Sequence, residues 1–311
     1  MKRTLPFLTL FFYALNSYSQ SDTLKNFPFQ FTIVSPISTS GNNSFLYNYN
    51  FSISAISGKS GGINGFEVAG ISNYTKHNVN GFQTSGLVNI VKNKVDGIQI
   101  AGLVNKTNGN EGVQIAGIYN KSKIVKGVQI ALINIADSVD GYMIGAVNKS
   151  AKNGKYAFEF GSSDNFSINA RYVSGVKDVY NFISFGLKYK EGMNWAYGFG
   201  IGKYLKEKPK HRTFIEFAFH HVTEDKLWEN RYANFLLSYG YGFEFKSNRN
   251  GNFRVMPTIN LYKVHTKDGR LRPYPETNFV YYSAKASGAL RDYHIWVGLN
   301  LSYKINWGFK S

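Results

Sequence analysis

Beyond about Lys155, apolar and polar residues alternate one by one, which indicates β-strands with two unlike faces. Phe158 and Phe160 flank Glu159, and the last segment alternates without interruption over 295–309. The pattern predicts strands near residues 155–161, 166–172, 183–189, 195–201, 215–219, 233–245, 253–263, 277–287 and 295–309. The C-terminal half is therefore expected to be an antiparallel domain of eight or nine strands.

Alternation of this kind is compatible with a soluble sandwich or with a transmembrane barrel whose apolar face meets lipid. Here the polar face is small and rich in glycine, as a narrow lumen requires, and Trp195 and Trp307 lie near strand ends, where interfacial aromatic girdles occur. Both features favour an outer-membrane β-barrel. The lumen of such a barrel should be filled by paired polar side chains, which we predict to be Glu159, Arg171, Lys188, Glu216, His220, Glu244 and Arg254.

Residues 65–148 follow a different pattern, a GxxxxGxxN phrase that recurs six times, shortened in its last two copies. The copies begin at Gly65, Gly81, Gly97, Gly112, Gly127 and Gly141. The spacing of 14–16 residues leaves room for one strand or one bent coil per unit and none for a pair of helices. The repeat region is therefore also β.

Two structures could produce this repeat. In a β-solenoid each unit is one rung, residues such as Val113, Ile115 and Ile118 fill a narrow core, and like residues stack. The stacked residues would include a ladder of side-chain amides: Asn73, Asn89, Asn105, Asn120, Asn134 and Asn148. In an antiparallel meander each unit is instead one barrel strand, so that two, six and eight strands would make a wall of about sixteen. In that case segment 155–161 would be a cap or miscounted, since such barrels need even strand numbers. Uniform repetition favours rungs, whereas the drift in spacing weakens that preference.

The N-terminus has the parts of a secretory signal peptide: Lys2 and Arg3, an apolar run over 4–15, and small residues before a cleavage site at Gln20. No other stretch is long and apolar enough to span a membrane as a helix. The chain is thus predicted to be exported. Its predicted parts are a signal peptide (1–19), an N-terminal strand pair acting as a cap (20–58), the repeat region (59–150) and the barrel (151–311).

Composition agrees with export to a membrane, because aromatic residues make up 16% of the chain and charged residues only 18%. The absence of cysteine excludes disulfides and thiolate chemistry. Removing Lys2 and Arg3 leaves 34 basic and 19 acidic residues, a net charge of +15 (34 − 19). Such a charge favours anionic partners such as lipopolysaccharide or acidic glycans, beside outer-membrane lipid; alternatively the lysines merely keep turns soluble. No nucleic acid is expected as a partner of an exported chain, and no protein partner is indicated.

The sequence contains little that points to chemistry. His220 and His221 point to opposite faces of one strand, and although Glu216 shares a face with His220, a metal site needs three or four ligands. HHVTED (220–225) has no serine nearby that could complete a hydrolase triad. GKSGGING (58–65) lacks the order of a phosphate-binding loop. We therefore predict no catalytic residue, no cofactor and no metal.

Several segments together resemble a known family: the strand pair FPFQFTIVSPIS (27–38) and SFLYNYNFSISAIS (44–57), the repeats, and DVYNFISFGLKY (178–189) followed by WAYGFGIGK (195–203). The chain is similar to uncharacterised Bacteroidetes surface proteins of the LA-type surface repeat family. Separately, the last strand, ending near Phe309, resembles the sorting signal of Gram-negative outer-membrane barrels. These resemblances imply an outer-surface location and no known activity.

The expected function is that of a non-enzymatic outer-membrane surface protein with a structural or ligand-interaction role, in the cell envelope of a Gram-negative bacterium. The alternative is a porin-like diffusion channel, which would follow if the repeats formed part of the barrel wall.

Overall fold

The computed structural model describes residues 24–189, 193–224, 234–247, 251–265, 281–285 and 291–307. The predicted signal peptide and Phe309 lie outside the described residues. The described chain forms two sheets and one 3-10 helix, Gly41–Leu46. Among these residues, no helix is long and apolar enough to cross a membrane.

The first sheet is a β-solenoid of sixteen strands, which pair in parallel except for one antiparallel pair at its N-terminal end. Its strands are β1 (Lys25–Val34), β2 (Ile37–Ser38), β3 (Tyr47–Ser60), β4 (Gly62–Ala69), β5 (Ser72–Thr75), β6 (Val79–Ser85), β7 (Val88–Val91), β8 (Lys94–Ala101), β9 (Val104–Lys106), β10 (Gly109–Asn110), β11 (Val113–Ala116), β12 (Tyr119–Val125), β13 (Val128–Ile130), β14 (Ile133–Val139), β15 (Tyr142–Ile144) and β16 (Val147–Ser150). Strands β4, β6, β8, β11, β13 and β15 form one wall, and β5, β7, β9, β12, β14 and β16 form the other. The long β3 contributes to both walls, and β1 pairs in parallel with β3 at the far end.

Like residues of successive repeats lie side by side in this sheet. Gly97 pairs with Gly81 on one wall, and Asn105 pairs with Asn89 on the other. Each repeat is therefore one rung, and the solenoid is confirmed. The meander and the sixteen-stranded barrel wall are wrong.

The first glycine of each repeat is required by the distance between rungs. Gly97 has a φ of 137°, and a Cβ at this position would lie 2.0 Å from the carbonyl oxygen of Gly81 on the rung before. A side chain there would separate the rungs, so only glycine permits the close stacking.

The facing of the repeat strands is the reverse of what we predicted for the core. Gln114 and Ala116 are buried, whereas Val113 and Ile115 lie half-exposed on the outer surface and Ile118 is 47% exposed. The predicted core residues are thus wrong, because an alternating strand fits either face inward and the apolar face was assumed to be the inner one. Among the described residues, the buried apolar clusters of the solenoid lie mainly where the strands meet the loops, at Ile63, Val79, Val95, Val125 and Val139.

The second sheet is an antiparallel barrel of eight strands closed by pairing between its first and last members. The wall consists of β17 (Gly154–Ser163), β18 (Ile168–Val176), β19 (Val179–Tyr189), β20 (Met193–Glu207), β21 (His211–Glu224), β22 (Asn234–Lys246), β23 (Gly251–His265) and β25 (Arg291–Trp307). β17, predicted as a possible cap, is a wall strand. The extra segment is the one predicted at 277–287: β24 (Tyr281–Lys285) pairs beside β25 outside the closed ring.

The solenoid adjoins the end of the barrel where β18, β20 and β22 end and β19, β21 and β23 begin. Only two to four residues separate these strand pairs along the chain, whereas nine separate β21 from β22 and 25 separate β23 from β25 at the opposite end. The last rung packs on the outside of the β18–β19 hairpin, where Asn181 donates to the carbonyl of Met143 at 3.0 Å. Val176 joins the apolar cluster that closes the end of the solenoid.

Candidate functional site

The barrel lumen is occupied by a buried cluster of paired charges. Arg254 donates to Glu159 at 2.5 Å and to Glu216 at 2.6 Å. Arg171 contacts the same two carboxylates, at 3.4 Å and 2.8 Å respectively. Cross-strand pairing produces this arrangement, since Glu159 faces Arg171 and Arg254 faces Glu244 on adjacent strands. Five residues of the predicted network therefore belong to one cluster.

Aromatic rings complete the cluster, and sequence reasoning did not identify them. The Arg254 guanidinium lies 3.8 Å from the ring centroid of Phe214, and that of Arg171 lies 4.4 Å from Phe182. Tyr180 donates its hydroxyl to Glu216 at 2.8 Å. These rings fill the space that the glycines of β20 and β22 leave open: a Cβ on Gly200 would lie 2.1 Å from the ring of Phe182.

A second layer of charges lies closer to the solenoid end. Arg212 donates to Glu244 at 2.6 Å, and Tyr204 donates to the same carboxylate at 3.0 Å. Lys304, which is buried, donates to the Tyr204 hydroxyl at 2.5 Å. The alternation of β25 had already placed Lys304 on the inner face, so this was the available signal for including it.

Two predicted members of the network lie elsewhere. Lys188 donates to the Asp164 carbonyl at 2.8 Å, near the end away from the solenoid. His220 lies 2.7 Å, through Nε2, from the Ser184 hydroxyl. A small cavity beside His220 has a volume of about 20 Å³, which is the space of one water molecule. Within the described part of the barrel, the cavity beside this serine–histidine contact is thus large enough for a water molecule and not for a larger ligand.

The mouth at the solenoid end is wider and basic. A depression of about 720 Å³ opens there, and its charged lining residues are Lys155, Lys177, Arg212, Lys246 and Lys304. Acidic side chains partly neutralise it, since Arg212 pairs with Glu244. Among the described residues, no three His, Asp or Glu side chains are grouped so that they could hold a metal ion.

The six predicted asparagines form one continuous ladder inside the solenoid. Each side-chain amide donates to the carbonyl oxygen of the next asparagine, at 3.0 Å from Asn73 and from Asn89, 3.1 Å from Asn105, 3.0 Å from Asn120 and 2.8 Å from Asn134. The same amides donate to strand carbonyls; that of Asn105, for example, lies 2.7 Å from the Ile115 oxygen. The ladder thus joins the two walls at the glycine-containing corner.

A second ladder, which we did not predict, runs parallel to the first. Gln83 donates to Glu67 at 2.5 Å, Gln99 to Gln83 at 2.6 Å, Gln114 to Gln99 at 2.6 Å and Gln129 to Gln114 at 2.8 Å. The recurrence of glutamine two residues after the first glycine was the available signal. Burial raises the pKa of the Glu67 carboxyl at the start of this ladder.

The outer surface of the solenoid is divided into an apolar and a basic side. At the corner, each of the first five repeats has one large apolar side chain that is 38–54% exposed; we call this row the apolar corner: Ile71, Leu87, Leu103, Ile118 and Leu132. The opposite side and the outer face of the second wall carry lysines, which we call the lysine edge. Lys76, Lys92 and Lys126 lie in loops, and the others lie in strands: Lys94, Lys106, Lys121, Lys123 and Lys149. The solenoid is therefore amphipathic across its long axis.

The described fold defines a closed eight-stranded antiparallel barrel preceded by a parallel β-solenoid. No known protein family and no curated protein matches the chain. One similar solved structure is the N-terminal β-barrel domain of Pseudomonas aeruginosa OprF, with 10% sequence identity over 48% of this chain and 97% of that chain, at a TM-score of 0.28. A similarity at this TM-score carries no functional information.

Proposed function

We propose that the chain is a non-enzymatic outer-membrane protein whose closed barrel anchors the solenoid at the membrane. One observation carries this proposal: the barrel exposes apolar side chains around its wall and encloses its charges. Outward residues such as Phe217, Tyr241 and Leu299 are 43–47% exposed, whereas Glu216 and Arg254 are buried. Lipid stabilises such an exterior, and water does not.

The turns of the barrel suggest its orientation. In outer-membrane barrels short turns face the periplasm and longer loops face the outside. Here all the intervals between strands at the solenoid end are short, and the two longest intervals lie at the opposite end, so we propose that the solenoid lies on the periplasmic side. This differs from the outer-surface location that the family resemblance implied. The lysines that suggested an anionic glycan or lipopolysaccharide would then lie on the periplasmic side as well.

The lumen supports anchoring rather than transport. The channel alternative depended on the repeats widening the wall, and they form separate rungs instead. An eight-stranded barrel has an interior just wide enough for side chains. Arg254 and its carboxylate partners occupy that interior, which supports a barrel that does not conduct ions.

Fractionation and conductance test the proposal. The full-length chain, expressed with its N-terminal segment in a Gram-negative host, should be recovered with outer membranes and should migrate differently on gels before and after heating. In planar bilayers the purified protein should give no stepwise conductance, while a porin of known conductance serves as the positive control. Recovery as a soluble periplasmic protein would reject the anchor, and a steady stepwise conductance would reject the closed lumen.

A further inference from the structure

We propose that the solenoid is itself inserted into the membrane: the apolar corner enters the inner leaflet of the outer membrane beside the barrel, while the lysine edge stays in water. This inference rests on the proposed function, because it takes the barrel as the membrane anchor. Its ligand is the lipid of that leaflet.

The distribution of side chains in the solenoid is the opposite of that in a soluble repeat protein, which buries its apolar residues. Glutamine and asparagine ladders fill the interior, and apolar rows cover the outside. Beside the apolar corner, the outer face of one wall carries Phe51, Phe66 and Ile98, which are 43–52% exposed. With strands about 4.8 Å apart, eight successive strands of this wall extend the apolar surface over roughly 30 Å. A continuous exposed patch of this length indicates an interaction surface.

The backbone at the apolar corner can enter hydrocarbon because its polar groups are paired. The Leu87 N–H donates to the Ile71 carbonyl at 2.9 Å, and the Leu103 N–H donates to the Leu87 carbonyl at 3.0 Å. The series continues with Ile118 N–H to the Leu103 carbonyl at 3.2 Å. A lipid-exposed backbone must satisfy its hydrogen bonds internally, and rung-to-rung bonding meets this condition through the bend.

The contact with the barrel determines which way the apolar corner points. At the tip of the β18–β19 turn, Lys177 donates to the carbonyl of Asp140, which lies on the lysine-edge side of the last rung. Farther from the tip, Ser174 accepts from the Asn148 N–H at 3.1 Å. The bend of the last rung is at residues 145–146. Asn148 lies next to this bend, whereas Asp140 lies at the other side of the rung. The bend therefore points away from the turn tip, along the barrel wall toward its apolar exterior.

The same contact sets the direction of the solenoid axis. Ser174 and Asn181 face each other across the hairpin with both side chains on its outer surface, and they cover the end of the last rung. The rungs consequently stack outward from the barrel wall. If the barrel spans the membrane, the solenoid runs along the membrane plane and its corner faces the leaflet.

Charge distinguishes lipid from a protein partner. On the second wall, the outward-facing residues next to the corner include Val104, Tyr119 and Val147. The next outward-facing residue on each of these strands, two positions along the chain, is a lysine: Lys106, Lys121 and Lys149. Lysines in this position extend toward phosphate-bearing headgroups when the neighbouring apolar residues enter the acyl region.

Depth measurements with single labels test the proposal, since the chain has no cysteine of its own. Leu103→Cys reports on the apolar corner, Lys123→Cys on the lysine edge and Leu301→Cys on the barrel exterior. All three positions are exposed, so the substitutions should leave the fold intact, which heat-dependent gel migration checks. Each full-length variant is labelled with a polarity-sensitive fluorophore and reconstituted into phospholipid vesicles with or without bromine on the acyl chains.

Bromine should reduce the emission of the labels at 103 and 301 to roughly half or less, because both should lie among acyl chains, and should leave the label at 123 nearly unchanged. Quenching at 301 without quenching at 103 would overturn the insertion of the solenoid and leave the anchor intact. A label at 103 with blue-shifted but unquenched emission would also overturn it, in favour of a second copy or another protein. Absence of quenching at 301 would instead reject the proposed membrane barrel.

Discussion

The barrel and the solenoid both enclose polar side chains beneath an apolar exterior, but they neutralise these side chains differently. In the barrel, Arg254 and Arg171 share the carboxylates of Glu159 and Glu216. In the solenoid, uncharged amides such as Asn105 bond to their equivalents on the next rung. Ion pairs need unlike residues on neighbouring strands, whereas an amide is donor and acceptor at once and can pair with a copy of itself.

This difference accounts for the two sequence patterns. A ladder of identical amides requires the same residue at the same place in each rung, so the repeat is visible in the sequence. A closed network of opposite charges requires different residues at each position, so β17 to β25 show alternation but no repeat. Polar interior groups are costly in either region unless every partner is present.

The largest effect should come from Arg254→Met. This change removes one charged partner from each of the buried carboxylates of Glu159 and Glu216. Removing one member of a buried charge cluster lowers the free energy of unfolding by about 3–5 kcal/mol. Urea unfolding in detergent micelles, followed by tryptophan fluorescence, measures it, because all four tryptophans follow residue 194 and report the barrel.

Lys203→Met is the matched control for that variant. Lys203 lies 3.6 Å from Asp178, and half of its side chain is exposed. The substitution should therefore lower the free energy of unfolding by less than about 1 kcal/mol. Equal losses in the two variants would contradict the assignment of the lumenal cluster as the principal charge network.

A smaller effect is expected for Asn105→Leu, which interrupts the asparagine ladder. The change removes bonds to Asn89, Asn120 and the Ile115 carbonyl and leaves buried amides without partners, at a cost of about 1–3 kcal/mol. Far-UV circular dichroism should show the loss, while tryptophan fluorescence of the barrel should change little. The exposed Asn80 supplies the control; if Asn80→Leu costs as much, the ladder does not stabilise the rungs.

The smallest effect concerns pH and the glutamine ladder. Burial raises the pKa of Glu67 above its ordinary value of 4.5, so the folded state binds this proton more tightly than the unfolded state does. The resulting stability is present below pH 4.5 and is lost as the pH rises through the folded-state pKa. Glu67→Gln should therefore raise the urea midpoint at pH 8, and the gain should shrink at pH 4.

Glu111→Gln is the control of opposite sign. Lys94 and Lys126 lower the pKa of Glu111, so its contribution to stability is present above its unfolded pKa and is lost on acidification. This variant should be slightly less stable than the parent at pH 8 and equal to it at low pH. A Glu67→Gln variant whose gain is the same at both pH values would show that charge is not the cause.

Much of the architecture could be predicted from residues such as Phe158 and Glu159, whose alternation gave both strand and facing. The asparagine ladder could be predicted as well, because only stacked rungs bring like residues together. The inward facing of Gln114 could not be obtained from alternation alone, because Ile115 fits either face and the environment decides which one is buried. Register is also invisible in single strands, so the contact of Ser184 with His220 could not be predicted.

Labelling from outside the cell tests most directly the central claim that the solenoid lies on the periplasmic side of the outer membrane. Cysteine is placed at Lys123 in the solenoid or at the exposed Ser167, which lies between β17 and β18 at the end of the barrel away from the solenoid, and intact cells are treated with a maleimide that does not cross membranes. We predict that Ser167→Cys is labelled in intact cells and that Lys123→Cys is labelled only after the outer membrane is permeabilised. Labelling of Lys123→Cys in intact cells would contradict the account.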